Sequence, residues 1–282
     1  MILEKLLKSI DNLPVFPITV FKIGEMLRRE DYSASGIVEL IQYDQSMAAN
    51  IVKMSNSPYF GLRQQVGSLR DAVIFLGRDN LMKIVQTAGA SRYFKREVRG
   101  YTEKSKELWE HSVAVALMSQ ILSRKIFKQE NEKLYLTALL HDIGKVVMGH
   151  AVFESFDEIS QLVASGKYSF LEAEEAVVGI DHAALGGKVA EKWNFPKDIV
   201  EAIAFHHRPD LLANVDNTMA WLVYLADQIC LMSGYTGGFD GLAHRSVHDI
   251  IEKFDFHERD IELGIMELVE ELKHAREVLG VV

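Results

Sequence analysis

Cysteine, proline and basic charge are all scarce in this chain of 282 residues. Cys230 is the only cysteine, which excludes an intrachain disulfide and a four-cysteine zinc site. Such sparing use of cysteine fits a reducing compartment. The five prolines are Pro14, Pro17, Pro58, Pro196 and Pro209. So few breakers leave room for long helices and argue against a many-stranded sandwich. Lys and Arg number 31 against 40 Asp and Glu, and the net charge of −9 argues against a strongly basic nucleic-acid binder. No stretch approaches the roughly 20 apolar residues of a membrane span. The start, MILEKLLKSIDNLPVF, lacks the apolar core of a signal peptide. The expectation is a soluble, cytoplasmic protein with no direct nucleic-acid or membrane partner.

What is present is helical periodicity. Hydrophobic residues make up 48% and charged residues 25%, a globular balance. Phe16, Val20, Ile23 and Leu27 recur at helical steps from near Pro17. Asp31 to Tyr43 follows, with Ser33 or Ser35 as a cap, and then Asp44 to Met54. Ser68 opens a helix that Gly77 stops. Longer helices are expected over Leu108–Phe127, Glu132–Met148, Phe153–Ser165, Ser169–Val178, His182–Trp193 and Asn217–Met232. Pro196 suits the first turn of another. Tyr235 to Gly241 is the clearest loop, and Ser246 to Leu279 contains two further helices. With no strand pair or repeat in view, the fold class is all-α.

Ten histidines are present, and every one lies at or after His111. The polar stretch Lys95 to Tyr101 bridges a histidine-free half and a histidine-bearing half. His141-Asp142 follows the apolar run Leu134 to Leu140, and Lys145 sits one helical turn on. Buried charge needs a partner or a metal. Taken alone, the dipeptide is a helix end emerging into solvent. Asp227 is flanked by Trp221 to Ala226 and by Ile229 to Met232, so it too needs a partner if buried. His206 and His207 point about 100° apart on a regular helix. They can share one site most easily at a helix end, which Pro209 favours. His150, His244, His248, His257 and His274 have no comparable context.

His111, His141-Asp142 and Asp227 resemble the H…HD…D pattern of the HD superfamily of metal-dependent phosphohydrolases. The wider series is similar to its HDOD subfamily, the HD-related output domain of bacterial signalling. Leu13 to Pro17, Ser55 to Gly61, Ser68 to Gly77, Asp181-His182-Ala183, Trp193 to Pro196 and His206 to Pro209 all take part. The resemblance implies a multi-helix HD-superfamily domain over 10–232, with an N-terminal helical half over about 10–97 and a metal-site half over about 98–232. A C-terminal helical extension covers 233–282. It implies that His111, His141, Asp142 and Asp227 hold one metal, and that His182, His206 and His207, bridged by Asp142, hold a second. Fe, Mn, Ni and Zn all suit such ligands. Lys145 would contact a phosphate as the catalytic cation. The GYP signature of cyclic-di-GMP phosphodiesterases is absent after His207, where the chain reads Arg208 to Leu212. The expected function is a signal-transduction output module acting through a protein partner or a small nucleotide. The alternative is a metal-dependent phosphohydrolase or phosphodiesterase, and a diiron redox role is a remoter one.

Overall fold

The structure is a computed structural model. It describes residues 2–29, 31–42, 44–56, 66–94, 101, 107–212, 218–236, 254 and 256–279. Among these, every regular element is helical. In chain order come α1 (Ile2–Asp11), α2 (Ile18–Leu27), α3 (Ala34–Ile41), α4 (Gln45–Ser55) and α5 (Leu69–Phe94). They are followed by α6 (Glu107–Phe127), α7 (Glu132–Leu140), α8 (Ile143–Glu154), α9 (Phe156–Ala164) and α10 (Phe170–Val178). The last are α11 (His182–Lys192), α12 (Lys197–Ala204), α13 (Thr218–Met232) and α14 (Glu258–Leu279).

Local chemistry sets many helix ends. Ser33, Asp44, Asn131 and Asp181 each cap a helix by accepting from the backbone N–H three residues on. Ser169 and Glu172 form a reciprocal capping box on α10, and Gly179 ends that helix at φ 92°. Ser169→Ala removes half of this box. It should cost about 1 kcal/mol, seen as a small fall in the thermal midpoint. Gly77, at φ 67° and ψ 178°, kinks α5 between two helical pieces, and the second follows without a loop.

Two compact units are distinguished. One comprises Met1–Pro14 and Tyr93–Glu270, the other Val15–Arg92 and Glu271–Val282. The second unit buries Val20, Ile23 and Leu27 of α2, Ile37 and Ile41 of α3, and Ile51 of α4. Its Arg92 pairs with the α4 cap Asp44 at 3.2 Å.

The first unit is built on α6 and α13, which pack together. From His111 to Ser123 every residue of α6 is buried, as is α13 from Leu222 to Cys230. Helices apolar on all sides belong at the centre of a fold. Helix α7 packs along α6, and α11 packs against both α8 and α12.

Several sequence expectations need correction. Glu132–Met148 is not one helix. It breaks at His141 and Asp142, where Asp142 adopts φ −93° and ψ 14°. No glycine or proline marks this break. Two residues on, α8 passes so close to α11 that a Cβ on Gly144 would lie 1.9 Å from the His182 carbonyl oxygen. Helix α8 then runs on to Glu154, so the next helix begins at Phe156 rather than Phe153. Helix α1 and the Arg78–Phe94 part of α5 were not foreseen. Tyr101, placed in a polar bridge, is fully buried. Residues 95–100 and 237–253 of the expected bridge, loop and tail lie outside the described residues. Among the described residues, no helix is long and apolar enough to cross a membrane.

Candidate metal centre

Five helix segments carry the seven predicted ligands to one place. His111 sits in the first turns of α6, and Asp227 on the buried α13. His141 and Asp142 occupy the α7–α8 break. His182 is the first residue of α11, and His206 and His207 lie just beyond α12. All but His207 have side chains at most 2% exposed, and His207 is at 14%.

Asp142 is central. Its Oδ2 lies 3.4 Å from His141 Nε2, 3.6 Å from His111 Nε2 and 2.7 Å from Lys145 Nζ. Its Oδ1 lies 3.5 Å from His182 Nε2 and 3.8 Å from His206 Nε2. Asp227 flanks the first group, with Oδ1 3.1 Å from His111 Nε2 and 4.0 Å from His141 Nε2. His207 faces Asp227 through Nδ1 at 3.9 Å, and its Nε2 lies 3.0 Å from His182 Nε2.

The outer hydrogen bonds orient these rings. His111 Nδ1 meets the Tyr235 carbonyl at 2.8 Å, His141 Nδ1 that of Ala138 at 2.6 Å, and His206 Nδ1 that of Ile203 at 2.7 Å. A carbonyl oxygen only accepts, so each Nδ1 must carry the hydrogen. The three Nε2 atoms thereby face inward, the orientation metal-binding imidazoles use, with that of His111 meeting Asp227 Oδ1 at 3.1 Å. His141 Nε2, His206 Nε2 and Asp142 Oδ1 are buried and make no hydrogen bond. Leaving a buried polar atom unsatisfied costs roughly 1–3 kcal/mol. Cations bound at the cluster would satisfy all three.

Spacing supports the same fit. His111, His141 and Asp142 form one group whose ligand atoms lie within 4.8 Å of one another. Asp142, His182, His206 and His207 form a second. Ligands about 2 Å from an ion lie roughly 3–4 Å apart, which both groups can meet with small adjustments. The His/Asp cluster can therefore hold a metal ion, and the donor set does not select one transition metal over another.

The HDOD domain pattern matches residues 13–209. The chain belongs to the HDOD domain family. It is 25% identical over 199 residues to an uncharacterized protein of Treponema pallidum (strain Nichols). That match covers 70% of the chain but only 38% of the relative. The crystal structure of an HDOD domain protein of unknown function from Geobacter sulfurreducens is similar over 97% of both chains, with a TM-score of 0.74 and 25% identity. A protein of Marinobacter aquaeolei VT8, provisionally named for signal transduction, shares the fold. Its TM-score is 0.73 at 21% identity, over 96% of this chain and 60% of that one.

Electrostatics within this HDOD domain separate the histidines. Burial opposes a charge on His111, but the hydrogen bond and charge of Asp227 outweigh it and raise the pKa. Burial is likewise overcome at His182, which Glu174 pushes up to about 9. Burial lowers His206 to about 3, with the charge of His141 adding to it, and burial also lowers His207. His182 is therefore the donor in its contact with His207. Against the upward pull of burial, His141 and Lys145 hold Asp142 well below the carboxylate range, and His111 lowers Asp227.

These shifts predict a peaked stability profile for metal-free protein. His182 stabilises fully below its unfolded value of 6.5, and the contribution is lost as pH rises through about 9. His206 works on the other flank. The unfolded chain gains a proton below 6.5 that folded His206 refuses until about 3, so stability falls as pH drops across that window. The thermal midpoint should be highest near pH 6.5 and lower at both about pH 4.5 and about pH 9. A flat profile would contradict these environments.

Two residues escaped sequence reasoning. Glu174 is fully buried and accepts from the backbone N–H and Nδ1 of His182 and from the Tyr101 hydroxyl. One signal existed for it. Phe170, Glu174 and Val178 are spaced by four, so Glu174 lies on the apolar face of α10 while Glu172 and Glu175 do not. Tyr101 had no such signal. Of the unassigned histidines, His257 is exposed and His274 half-buried.

Proposed function

We propose that this HDOD domain is a bacterial signal-transduction output module built around a divalent transition-metal centre. The observation that carries the reading is the set of three buried, hydrogen-bond-free ligand atoms on His141, Asp142 and His206. His111, His141, Asp142 and Asp227 would hold one ion, and His182, His206 and His207 with Asp142 would hold another. Bound metal supplies Lewis acidity and a fixed positive charge. The two carboxylates would offset part of that charge, while the carbonyl-anchored histidines would present Nε2 to the metal. Lys145 holds Asp142 in place at 2.7 Å. His207 alone reaches solvent, so a small nucleotide or phosphoester would approach on its side. The near-complete burial of the other ligands favours a centre that reports to a protein partner in the cytoplasm over one that turns over a bulky substrate. The signal-transduction name of the Marinobacter relative agrees with this.

A metal-dependent phosphohydrolase is the second reading. Its specific support is that two ligand groups share Asp142, with the Lys145 ammonium beside them. Two ions so placed clamp phosphoryl oxygens in other enzymes.

The test is elemental analysis of purified protein offered Fe, Mn, Ni and Zn, followed by assays of nucleotide and phosphodiester turnover. Bound metal without turnover is the expected result. Metal with turnover would favour the hydrolase. Protein that stays metal-free would overturn both readings.

A further inference from the structure

The five histidines of the centre are not held alike. Those of His111, His141 and His206 rest on neutral backbone carbonyls. His207 Nδ1 stands 3.9 Å from Asp227 Oδ2, beyond hydrogen-bond reach, so among the five only His182 hydrogen-bonds a carboxylate through Nδ1. Glu174 Oε2 accepts from His182 Nδ1 at 2.8 Å and from the His182 backbone N–H at 2.9 Å. Glu174 Oε1 accepts from the Tyr101 hydroxyl. Both oxygens are thus committed, and neither Glu174 nor Tyr101 has any exposed surface. Lys145 Nζ stands 5.8 Å from the centre of the Tyr101 ring, so the same tyrosine backs the site's cation.

This arrangement fixes two things at once. The backbone bond locks the first residue of α11, and the Nδ1 bond locks the imidazole ring on it. Nε2 is then left 3.5 Å from Asp142 Oδ1, on the side of the second ligand group. A carboxylate behind an imidazole also makes the ring a stronger donor than a carbonyl does. No residue of the first group, His111, His141 or Asp227, touches Glu174 in this way.

We infer that Glu174 is the positioning residue for the second ion's place, holding His182 so that Nε2 can bind there, and that Tyr101 in turn fixes Glu174. The inference rests on the metal reading above. Its consequence is an asymmetric centre. The ion on His111, His141, Asp142 and Asp227 is independent of Glu174, and the ion on His182, His206 and His207 depends on it.

The test compares wild-type protein with Glu174→Gln, which preserves side-chain size but removes the charge. Metal-stripped full chain is titrated with Mn2+ and, separately, with Zn2+, and bound ions per chain are counted. Wild type should take up two ions. Glu174→Gln should keep the first ion's affinity and lose about 10- to 100-fold in the second. A merely structural role would weaken both ions or neither. Two ions with unchanged affinity in the variant would overturn the inference while leaving the metal reading intact. One ion in both proteins would also overturn it, because there would be no second place to position. No ion in wild type would overturn the metal reading and this inference together. Should Glu174→Gln fail to fold, Tyr101→Phe decides. It removes one hydroxyl, and it should weaken only the second ion. Unchanged second-ion affinity in Tyr101→Phe would overturn the inference.

Discussion

Replacing Gly144 with alanine is expected to lower stability by about 3 kcal/mol or more, at the upper end of overpacking effects. The new methyl would lie 1.9 Å from the His182 carbonyl oxygen and 2.8 Å from the Gly186 backbone nitrogen. Both neighbours are backbone, so no rotamer change relieves the contact. Helix α8 must move off α11, and the α7–α8 break that places His141 and Asp142 moves with it. The thermal midpoint should fall by roughly 6–12 °C. Gly264→Ala is the control. Its Cβ would meet Ile121 at 3.6 Å and Met118 at 3.9 Å, which is ordinary contact. Helix propensity then makes that substitution neutral or stabilising by up to about 1 kcal/mol. Equal effects of the two substitutions, measured by calorimetry, would show that α8 does not approach α11 as described.

The second large effect is at Asp142. Asp142→Ala leaves Lys145, 1% exposed, without the carboxylate that now lies 2.7 Å away. Removing one partner of a buried pair costs about 3–5 kcal/mol. Adding Lys145→Met removes the buried charge that Asp142 had faced, so the double variant should regain part of that stability. It should not regain metal, because Asp142 faces both ligand groups. Denaturant melts and elemental analysis of the single and double variants separate the two roles. A double variant no more stable than Asp142→Ala would mean that the Lys145 charge is not what destabilises the single variant.

The sequence makes some parts of this protein legible and others not. Helix ends written in local chemistry are legible, such as the Ser169 box, the Asp181 cap and the glycines at 77 and 179. Each acts on its own neighbours and needs no tertiary context. The break at His141-Asp142 is of another kind. The run Leu134 to Met148 has helical periodicity and Gly144 as its only weak former, and the close approach of α11 at that glycine cannot be read from it. The seven candidate ligands stand out only as an ordered series resembling a known family, since no single histidine among ten distinguishes itself. Their mutual distances could not come from spacing, because 116 positions separate His111 from Asp227 (227 − 111 = 116). Glu174 shows the intermediate case. Its place on the apolar phase of α10 is visible in the sequence. Its partner His182 is not, because the turn that brings them together depends on how α10 and α11 pack.

The central claim is that the buried His/Asp cluster is a metal centre. Anomalous diffraction from crystals of the full chain grown with Mn2+ or Zn2+ tests it most directly. The account predicts a peak about 2 Å from Nε2 of His111 and His141 and from a carboxylate oxygen of Asp142. A second peak is predicted among His182, His206 and His207. Featureless anomalous maps at the cluster, with the same ion clearly bound elsewhere on the protein, would contradict it.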